Sequence, residues 1–478
     1  MSFVSLHFMA LVIVLLALYY LIPYKFQPYL LLLGSLYFYY RSSSSLIIVL
    51  LVTTTITYIG GLVLQKISHI LIKKVLLGSL ISCILIPLIV FKYSTFLLEL
   101  INKHSSYYLI LPMGISFYTL QLIGYLVDVY RNEIKPEQNF FYFLLFASFF
   151  PQILQGPIPR YANLSNTLYE KHNYDSLNIW LGLQKILWGL FFKLMIASKA
   201  AVFADDIFNS TENIAGSLYL VAGILYSFQL YTDFISCVLI AQGVSLLFGI
   251  KLSENFAQPY FATSVKDFWH RWHISLSTWL RDYIYIPLGG NRKGELRTNI
   301  NLLITFFISG IWHGAGYKYI FWGGMHGVYQ LIGKYTVNLR CRFYSKYKYI
   351  QSFRPHIQRL TTFILVMNAW IIFRSRSLKS GLHALYSIVV NFKFSELLNG
   401  NIFTHGLNIA EFVLLILLII FLLIWDYQLE IGCNIMYRFL YIGSFKKMMY
   451  SFILLLIILI FGTYGYGYDA SSFIYGGF

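Results

Sequence analysis

Long uncharged runs of apolar residues alternate along this chain with short polar segments, many of them basic. A helix needs about 20 apolar residues to cross a bilayer, and runs approaching or exceeding that length lie at residues 3–24, 42–65, 75–91, 105–127, 138–159, 213–232, 234–250, 298–317, 411–425 and 448–468. They lack the alternation of a membrane barrel strand, and backbone polar groups in lipid need internal partners. The pattern predicts an all-α polytopic membrane protein with about ten to twelve transmembrane helices.

Composition and charge agree with a membrane solvent. The 478 residues are 58% hydrophobic and only 12% charged, with a formal net charge of +17. In a soluble chain such a charge would suggest nucleic acid, but here basic loops on one side of a membrane explain it, and no nucleic-acid partner is expected. Residues 334–359 hold seven Lys or Arg and no acidic residue, so we place that loop in the cytoplasm.

Residues 360–373 form a short apolar stretch with basic residues on both flanks. We therefore expect a re-entrant or short helix there. Internal repeats, low-complexity tracts and Gly/Ser linkers are not evident, and the four cysteines are scattered. The sequence predicts a single membrane-embedded domain over residues 1–478, with no disulfide framework.

A polar segment at residues 251–297 interrupts the apolar pattern. Within it, residues 267–283 combine three tryptophans, two histidines, two arginines and two aspartates. Read as one helix, the segment places His270, His273 and Ser277 on a common face. The functional interpretation is a partly buried polar network, and the alternative is an interfacial helix anchored by tryptophan.

A metal site is the weaker interpretation of these histidines. Two histidines three residues apart can share an ion. However, no cluster of carboxylates or cysteines completes a four-ligand set at a familiar spacing. We expect no metal.

A second polar group lies inside the uncharged stretch 298–317. His313 follows Trp312 and is surrounded by small residues, and His326 lies thirteen residues later. Glycines at 310 and 314 allow close backbone approach, so one interpretation is a helix-packing seam in which His313 bonds a neighbouring carbonyl. Against it, ionisable groups within a span are costly and usually functional, and a desolvated imidazole stays neutral and can accept a proton.

With these residues assembled, the sequence resembles the membrane-bound O-acyltransferase family, in the bacterial branch of alginate O-acetylation membrane proteins. The resemblance extends over about residues 110–375. The motifs that carry it are Leu-Pro-Met-Gly-Ile-Ser-Phe-Tyr at 111–118, Tyr-Leu-Val-Asp-Val-Tyr-Arg at 125–131, the segment 150–160, Gln-Leu-Tyr-Thr-Asp-Phe at 229–234, the run 255–292 and Gly310 to Gly314. It implies a helical core with a central tunnel, two histidines at its centre, matched here by His273 and His313, and additional re-entrant or interfacial helices.

The resemblance implies acyl transfer from a cytoplasmic thioester. Acetyl-CoA is the expected donor substrate, with no permanently bound cofactor. His313 would act as general base on an acceptor hydroxyl, and His273 would orient or stabilise the developing charge. Candidate residues for binding substrate are Arg271, Ser277, Arg281, Asp233, Asn255, Trp312 and His326.

The arginines of the polar segment have two interpretations. Arg271, Arg281 and Arg292 could hold the phosphates of CoA, or they could anchor the segment to lipid head groups. The Leu-Gly-Gly-Asn-Arg run ending at Arg292 is more similar to the alginate-type branch than to the teichoic acid D-alanylation branch. Acetyl is therefore favoured over D-alanyl transfer to teichoic acid.

The chain finishes Phe-Ile-Tyr-Gly-Gly-Phe at residues 473–478. This tail resembles the Phe-x-Tyr-x-x-Phe ends of extracellular acylation systems, in which the tyrosine relays the acyl group. The phenol of Tyr475 could accept an acyl group once a base removes its proton. The two glycines depart from the bulkier residues usual in that branch, and the alternative is a tyrosine anchored at the membrane interface.

The expected setting is the bacterial cytoplasmic membrane. A soluble hydrolase-like segment is not evident, so an extracytoplasmic serine-dependent (SGNH-like) acetyltransferase is the implied partner. It would esterify a polysaccharide such as alginate, cellulose or peptidoglycan, and a polymer synthase complex is a further candidate partner. The competing interpretations are a polysaccharide or lipid transporter, disfavoured by the lack of paired broken helices, and a structural scaffold.

Overall fold

The computed structural model describes residues 3–101 and 109–464. Within those ranges the chain is helical and contains no β-strand. The all-α fold class predicted from the apolar pattern is therefore confirmed.

Eight α-helices precede the first of the long central helices: α1 Leu6–Tyr19, α2 Gln27–Ser43, α3 Ile47–Lys66, α4 Ile70–Leu88, α5 Ser94–Leu100, α6 Ile115–Tyr130, α7 Phe140–Ser148 and α8 Tyr161–Tyr169. The second half contains α9 Ser176–Phe191, α10 Ser198–Asn209, α11 Gly216–Leu247, α12 Val265–Arg271, α13 Ile274–Leu280, α14 Glu295–His313, α15 Tyr317–Tyr335, α16 Val337–Lys346, α17 Lys348–Arg374, α18 Leu378–Val390, α19 Ser395–Leu398, α20 Ile409–Glu430, α21 Ile435–Leu440 and α22 Ser444–Phe461.

Short irregular helices connect several of these elements. Three are π-helical, a geometry that is rare and often found at functional sites: Ile89–Tyr93, Phe192–Ala197 and Arg281–Tyr285. Four are 3₁₀ turns: Tyr24–Phe26, Ser44–Leu46, Pro259–Phe261 and Asn401–Thr404. The first two π-helices are continuous with α-helices on both sides, so they are bulges within long helices and do not end them.

Seven helical segments of the described ranges are long and apolar enough to cross a membrane: Tyr24–Lys66, Ile70–Leu100, Ser176–Asn209, Gly216–Leu247, Tyr349–Arg374, Ile409–Glu430 and Ser444–Phe461. The count differs from the ten to twelve expected. The two stretches 213–232 and 234–250 join into the single helix α11, and Asp233 between them is buried within that helix. The stretch 138–159 contains only the nine-residue α7.

The basic segment after α15 is helical, whereas we expected a loop followed by a short or re-entrant helix. Helices α16 and α17 cover most of residues 337–374, and α17 alone has 27 residues. Lys and Arg are good helix formers, and their long side chains reach polar surroundings from a helix. Flanking charge therefore did not mark a helix boundary here.

Helix α11 is the centre of the fold. Of its most apolar window, 94% is buried, so the helix is surrounded by protein and not by lipid. It packs closely on α9, where a side chain added to Gly182 or Gly243 would collide with the backbone of the other helix. Helices α14 and α15 form an antiparallel hairpin that packs on α17, which in turn packs on α11. The candidate site lies between these elements.

Candidate active site

His273 stands at a sharp corner between α12 and α13. Its backbone has φ 45° and ψ 54°, the left-handed conformation that few residues other than glycine adopt. The continuous helix that we predicted over this segment is wrong, and the two histidines do not share a face. His270 is exposed, whereas His273 is completely buried.

The segment around Asn255 enforces this corner through hydrogen bonds. The backbone N–H of Ile274 donates to the carbonyl of Asn255 at 3.0 Å, and the N–H of Ala257 donates to the carbonyl of Arg271 at 3.0 Å. The Asn255 side-chain Oδ1 accepts from the N–H of Ser275 at 2.9 Å and lies 3.4 Å from Nδ1 of His273. Tertiary hydrogen bonds thus outcompete the helical ones at this point.

His313 is the last residue of α14, at the closed end of the α14–α15 hairpin. The two helices approach closely because a Cβ on Gly310 would collide with the carbonyl of Tyr319, and one on Gly323 with the carbonyl of Phe306. The expected small-residue packing seam therefore exists. His313 is 1% exposed, so the seam and a buried histidine occur together.

Aromatic rings connect the buried histidines. The ring of Trp312 lies 6.1 Å from that of His273 and 4.9 Å from that of His313. Trp322 continues the series, 4.8 Å from His313 and 4.9 Å from His326. Histidine and tryptophan rings thus alternate from the corner to the hairpin. Both predicted catalytic histidines lie beside the same indole, that of Trp312.

His326 lies on α15, facing α12. The indole N–H of Trp269 donates to its Nδ1 at 3.2 Å, and within residues 3–101 and 109–464 its Nε2 has no hydrogen-bond partner. Because Nδ1 accepts, the proton of a neutral imidazole is on Nε2. The candidate His326 is therefore buried beside the site with one nitrogen already occupied by a tryptophan.

Asp233 forms a buried ion pair that the sequence analysis missed. Its Oδ1 lies 2.6 Å from Nζ of Lys193, and both side chains are less than 5% exposed. Lys193 comes from the π-helix Phe192–Ala197. The signal was present in the sequence as a single lysine in an apolar run. The pair is next to the site, since the ring of Phe234 lies 4.7 Å from that of His273.

A cavity of about 420 Å³ lies between α13 and the hairpin, and its wall includes Lys266, His270, Ser277, Arg281, Ser309 and Gln330. Ser309 lies four residues before His313, on the same face of α14. The cavity therefore extends to the side of α14 that bears the histidine.

The three candidate arginines have different positions. Arg281 lines the cavity. Arg271 does not, because its guanidinium contacts both carboxylate oxygens of Glu430, at 2.6 and 3.2 Å, and Asp267 at 2.9 Å. Its charge is thus already balanced. Arg292 is exposed and outside the cavity wall.

Tyr475, the candidate acyl relay, lies outside the described residues. The last described segment is attached to the core, since the backbone N–H of Thr463 donates to the carbonyl of Leu194 at 3.0 Å. Leu194 is the neighbour of Lys193 in the π-helix. The chain leading to the tail therefore starts beside the Lys193–Asp233 pair.

Comparison with known proteins supports the resemblance seen in the motifs. The chain is 38% identical over 310 residues to the Pseudomonas fluorescens protein named "Probable alginate O-acetylase AlgI", in an alignment that covers 64% of this chain and 60% of that protein. It is 38% identical over 330 residues to the peptidoglycan O-acetyltransferase of Helicobacter pylori, covering 63% and 62% of the two chains.

A teichoic acid D-alanyltransferase of Bacillus subtilis is 32% identical over 289 residues, covering 58% of this chain and 71% of that protein. The chain thus matches a little under two thirds of the length of the two O-acetylation proteins. Residues 131–380, more than half of the chain, match the family model described as MBOAT, membrane-bound O-acyltransferase family. The chain belongs to the membrane-bound O-acyltransferase family, in the branch of the alginate O-acetylation proteins.

Proposed function

We propose that this protein takes an acetyl group from acetyl-CoA at the cytoplasmic face of a bacterial membrane and passes it across for O-acetylation of an extracytoplasmic polysaccharide. The names of the relatives, alginate and peptidoglycan O-acetylases, favour acetyl as the group and a polysaccharide as the acceptor. The observation that carries the proposal is the pair of buried histidines on either side of Trp312.

The chemistry is acyl transfer with a histidine base. His313 takes the proton of the acceptor hydroxyl, whose oxygen attacks the thioester carbonyl. The carbon–oxygen bond forms, the carbon–sulfur bond breaks, and the thiolate of CoA recovers the proton from His313. His273, held at its corner by Asn255, stabilises the negative charge that develops on the carbonyl oxygen.

The orientation of the hairpin supports entry of the donor from the cytoplasm. Nζ of Lys334 and Oε1 of Glu295 lie 2.9 Å apart at its open end, where basic residues dominate, and such residues favour the cytoplasmic side. The cavity wall includes Gln330, one turn from Lys334. His313 is at the opposite end of α14, about 27 Å along the helix axis. This arrangement supports transfer across the membrane.

Lys266 and Arg281 are the residues best placed to hold the donor. Both are exposed and line the cavity. Nε of Arg281 lies 2.7 Å from Oδ1 of Asp282, so the terminal nitrogens of its guanidinium are the ones available to a phosphate. A CoA phosphate carries the charge that an arginine fork or a lysine ammonium binds well. Ser277, on the same wall, adds a hydroxyl that can hydrogen-bond the pantetheine amides.

The acceptor inside the protein is Tyr475 in this proposal. Acetyl would move to its phenol oxygen and from there to an extracytoplasmic serine-dependent acetyltransferase, which would esterify the polymer. The attachment of Thr463 at Leu194 supports it: Tyr475 is twelve residues further on, and an extended chain of that length reaches about 40 Å.

The test uses purified protein and acetyl-CoA with a radiolabelled acetyl group, followed by CoA release and by covalent label on the protein. We expect His313→Ala and His273→Ala to reduce CoA release about 100-fold or more. His356→Ala is the control, because this histidine on α17 is exposed and lies outside the cavity wall. Full turnover in His313→Ala would exclude the mechanism.

The relay is tested in the same assay. Covalent label on the wild-type protein but not on Tyr475→Phe supports the phenol as acceptor, whereas equal label on both places the acceptor elsewhere. A D-alanyl thioester used in preference to acetyl-CoA would instead favour the activity named for the Bacillus subtilis relative.

A further inference from the structure

Lys92 and Tyr93 contact the end of α14 that bears His313. The side-chain amino group of Lys92 donates to the carbonyl of Trp312 at 2.5 Å, and the hydroxyl of Tyr93 donates to the carbonyl of Ile311 at 2.7 Å. Two neighbouring residues of one helix therefore satisfy two neighbouring carbonyls of another. The acceptors are the residues immediately before the proposed catalytic base.

These carbonyls need partners from outside their own helix. The last four C=O groups of an α-helix have no intrahelical donor, and the Gly314 that follows closes only one short turn, from its N–H to Ile311 at 3.2 Å. In surroundings poor in water an unsatisfied carbonyl is costly.

The π-helix Ile89–Tyr93 makes this double contact geometrically accessible. Neighbouring residues in a regular α-helix point to different faces. The extra residue of a π-turn changes the local spacing, and π-bulges recur at functional sites for this reason. Here both Lys92 and Tyr93 reach the same helix end.

Ser116 completes the arrangement. Its hydroxyl accepts from Lys92 at 2.9 Å, and its carbonyl accepts from the indole N–H of Trp312 at 3.1 Å. The Trp312 side chain and carbonyl are thus both held, one by Ser116 and the other by Lys92. No ion pair in residues 3–101 and 109–464 includes Lys92. Its amino group donates to a carbonyl and a hydroxyl.

We propose that Lys92 and Tyr93 are positioning residues, which cap the C-terminus of α14 and thereby hold His313 in its buried, reactive orientation. The role of His313 as base rests on the proposed function, but the cap itself does not. Loss of the cap would let the helix end open and rotate the imidazole away from the acceptor. Misplacement of the base in this way lowers the rate of the chemical step without changing the affinity for the donor.

The experiment combines kinetics with chemical labelling in the full-length purified protein. In Lys92→Met we expect kcat for acetyl-CoA to fall about tenfold with KM unchanged. Diethylpyrocarbonate modification is read by peptide mass spectrometry. In Lys92→Met its rate at His313 should be about tenfold higher than in the wild type, whereas its rate at His326, which is also buried, should not change. Lys92→Arg should restore most of the protection, and Tyr93→Phe should show a smaller change in the same direction.

Lys73→Met is the matched control. Lys73 lies on α4, the helix that leads into the same π-helix, but its Nζ contacts Oδ1 of Asn132, remote from α14. Wild-type kinetics and labelling in Lys92→Met would overturn the proposal. Equal changes in kinetics and labelling in Lys73→Met would also overturn it, as would equal acceleration of labelling at His313 and His326. Both results would indicate a general loosening of the fold.

The labelling result separates the two proposals. The wild-type protein could transfer no acetyl group while Lys92→Met still accelerates diethylpyrocarbonate modification of His313. In that case the cap is supported and the proposed function fails. Lys92→Met that does not fold is replaced by Tyr93→Phe, which removes only a hydroxyl and tests the same cap.

Discussion

The side chain of Asn255 holds the backbone on the C-terminal side of His273. Its Oδ1 accepts from Ser275 N–H at 2.9 Å, while its own carbonyl accepts from Ile274 N–H at 3.0 Å. The most buried histidine of the polar segment is therefore placed by a residue eighteen positions away. The left-handed backbone at His273 is a consequence of this contact and not of local sequence preference.

Removal of the Asn255 amide should displace His273. In Asn255→Ala we expect kcat for acetyl transfer to fall about 100-fold, since a displacement of the order of 1 Å can have that effect. The free energy of unfolding should fall by about 1–3 kcal/mol, because Ser275 N–H loses its buried acceptor. Turnover of labelled acetyl-CoA and thermal unfolding check both. Asn255→Asp keeps the acceptor oxygen and should retain more stability, whereas wild-type turnover in Asn255→Ala would contradict the role.

The backbone and the imidazole of His273 can be separated by substitution. Glycine adopts the left-handed conformation freely, whereas an L-residue is strained there by about 1–2 kcal/mol and a β-branched one by more. His273→Gly and His273→Val should both be inactive, but the valine variant should unfold at a clearly lower temperature. Equal melting temperatures would show that the corner relaxes in the absence of histidine.

The buried pair Lys193–Asp233 should be sensitive to the loss of one partner. Lys193→Met leaves a buried carboxylate uncompensated, and we expect a loss of about 3–5 kcal/mol in the free energy of unfolding. The double variant Lys193→Met with Asp233→Leu should recover much of that loss. Lys185–Glu254, whose carboxylate is 67% exposed, is the control pair, and breaking it should cost about 1 kcal/mol or less. Comparable losses at both pairs would contradict the prediction.

The hairpin seam should reject even one methyl group. A Cβ at Gly310 collides with the carbonyl of Tyr319, so Gly310→Ala should separate α14 from α15, lower stability and reduce acetyl transfer. Gly333→Ala is the matched control on α15, where a Cβ meets nothing within 4 Å. That variant should gain about 0.5–1 kcal/mol from reduced chain entropy. Thermal unfolding and turnover of both variants decide the matter, and an unaffected Gly310→Ala would refute the seam.

The sequence by itself determined the fold class and the family, and it singled out the two histidines on which the proposed mechanism rests. Apolar runs of membrane length admit only helices, since lipid offers no partner to the backbone. His313 was recognisable as a candidate site residue, because an ionisable side chain within such a run has a high free-energy cost. The run Asn255 to Arg292 was evident because its tryptophans, histidines and charges have no ordinary role in a connector.

The tertiary structure decided those features that the sequence pattern predicted wrongly or did not show. The helix expected through His270 and His273 breaks, because distant backbone groups at Asn255 compete for its hydrogen bonds. The basic loop is helical, because charge does not by itself end a helix. The partners of Asp233 and Trp312, namely Lys193 and Ser116, are far apart in the chain, and only packing brings them together. Local patterns record which side chains are expensive to bury, whereas the contacts that compensate them are long-range and appear only once the helices are assembled.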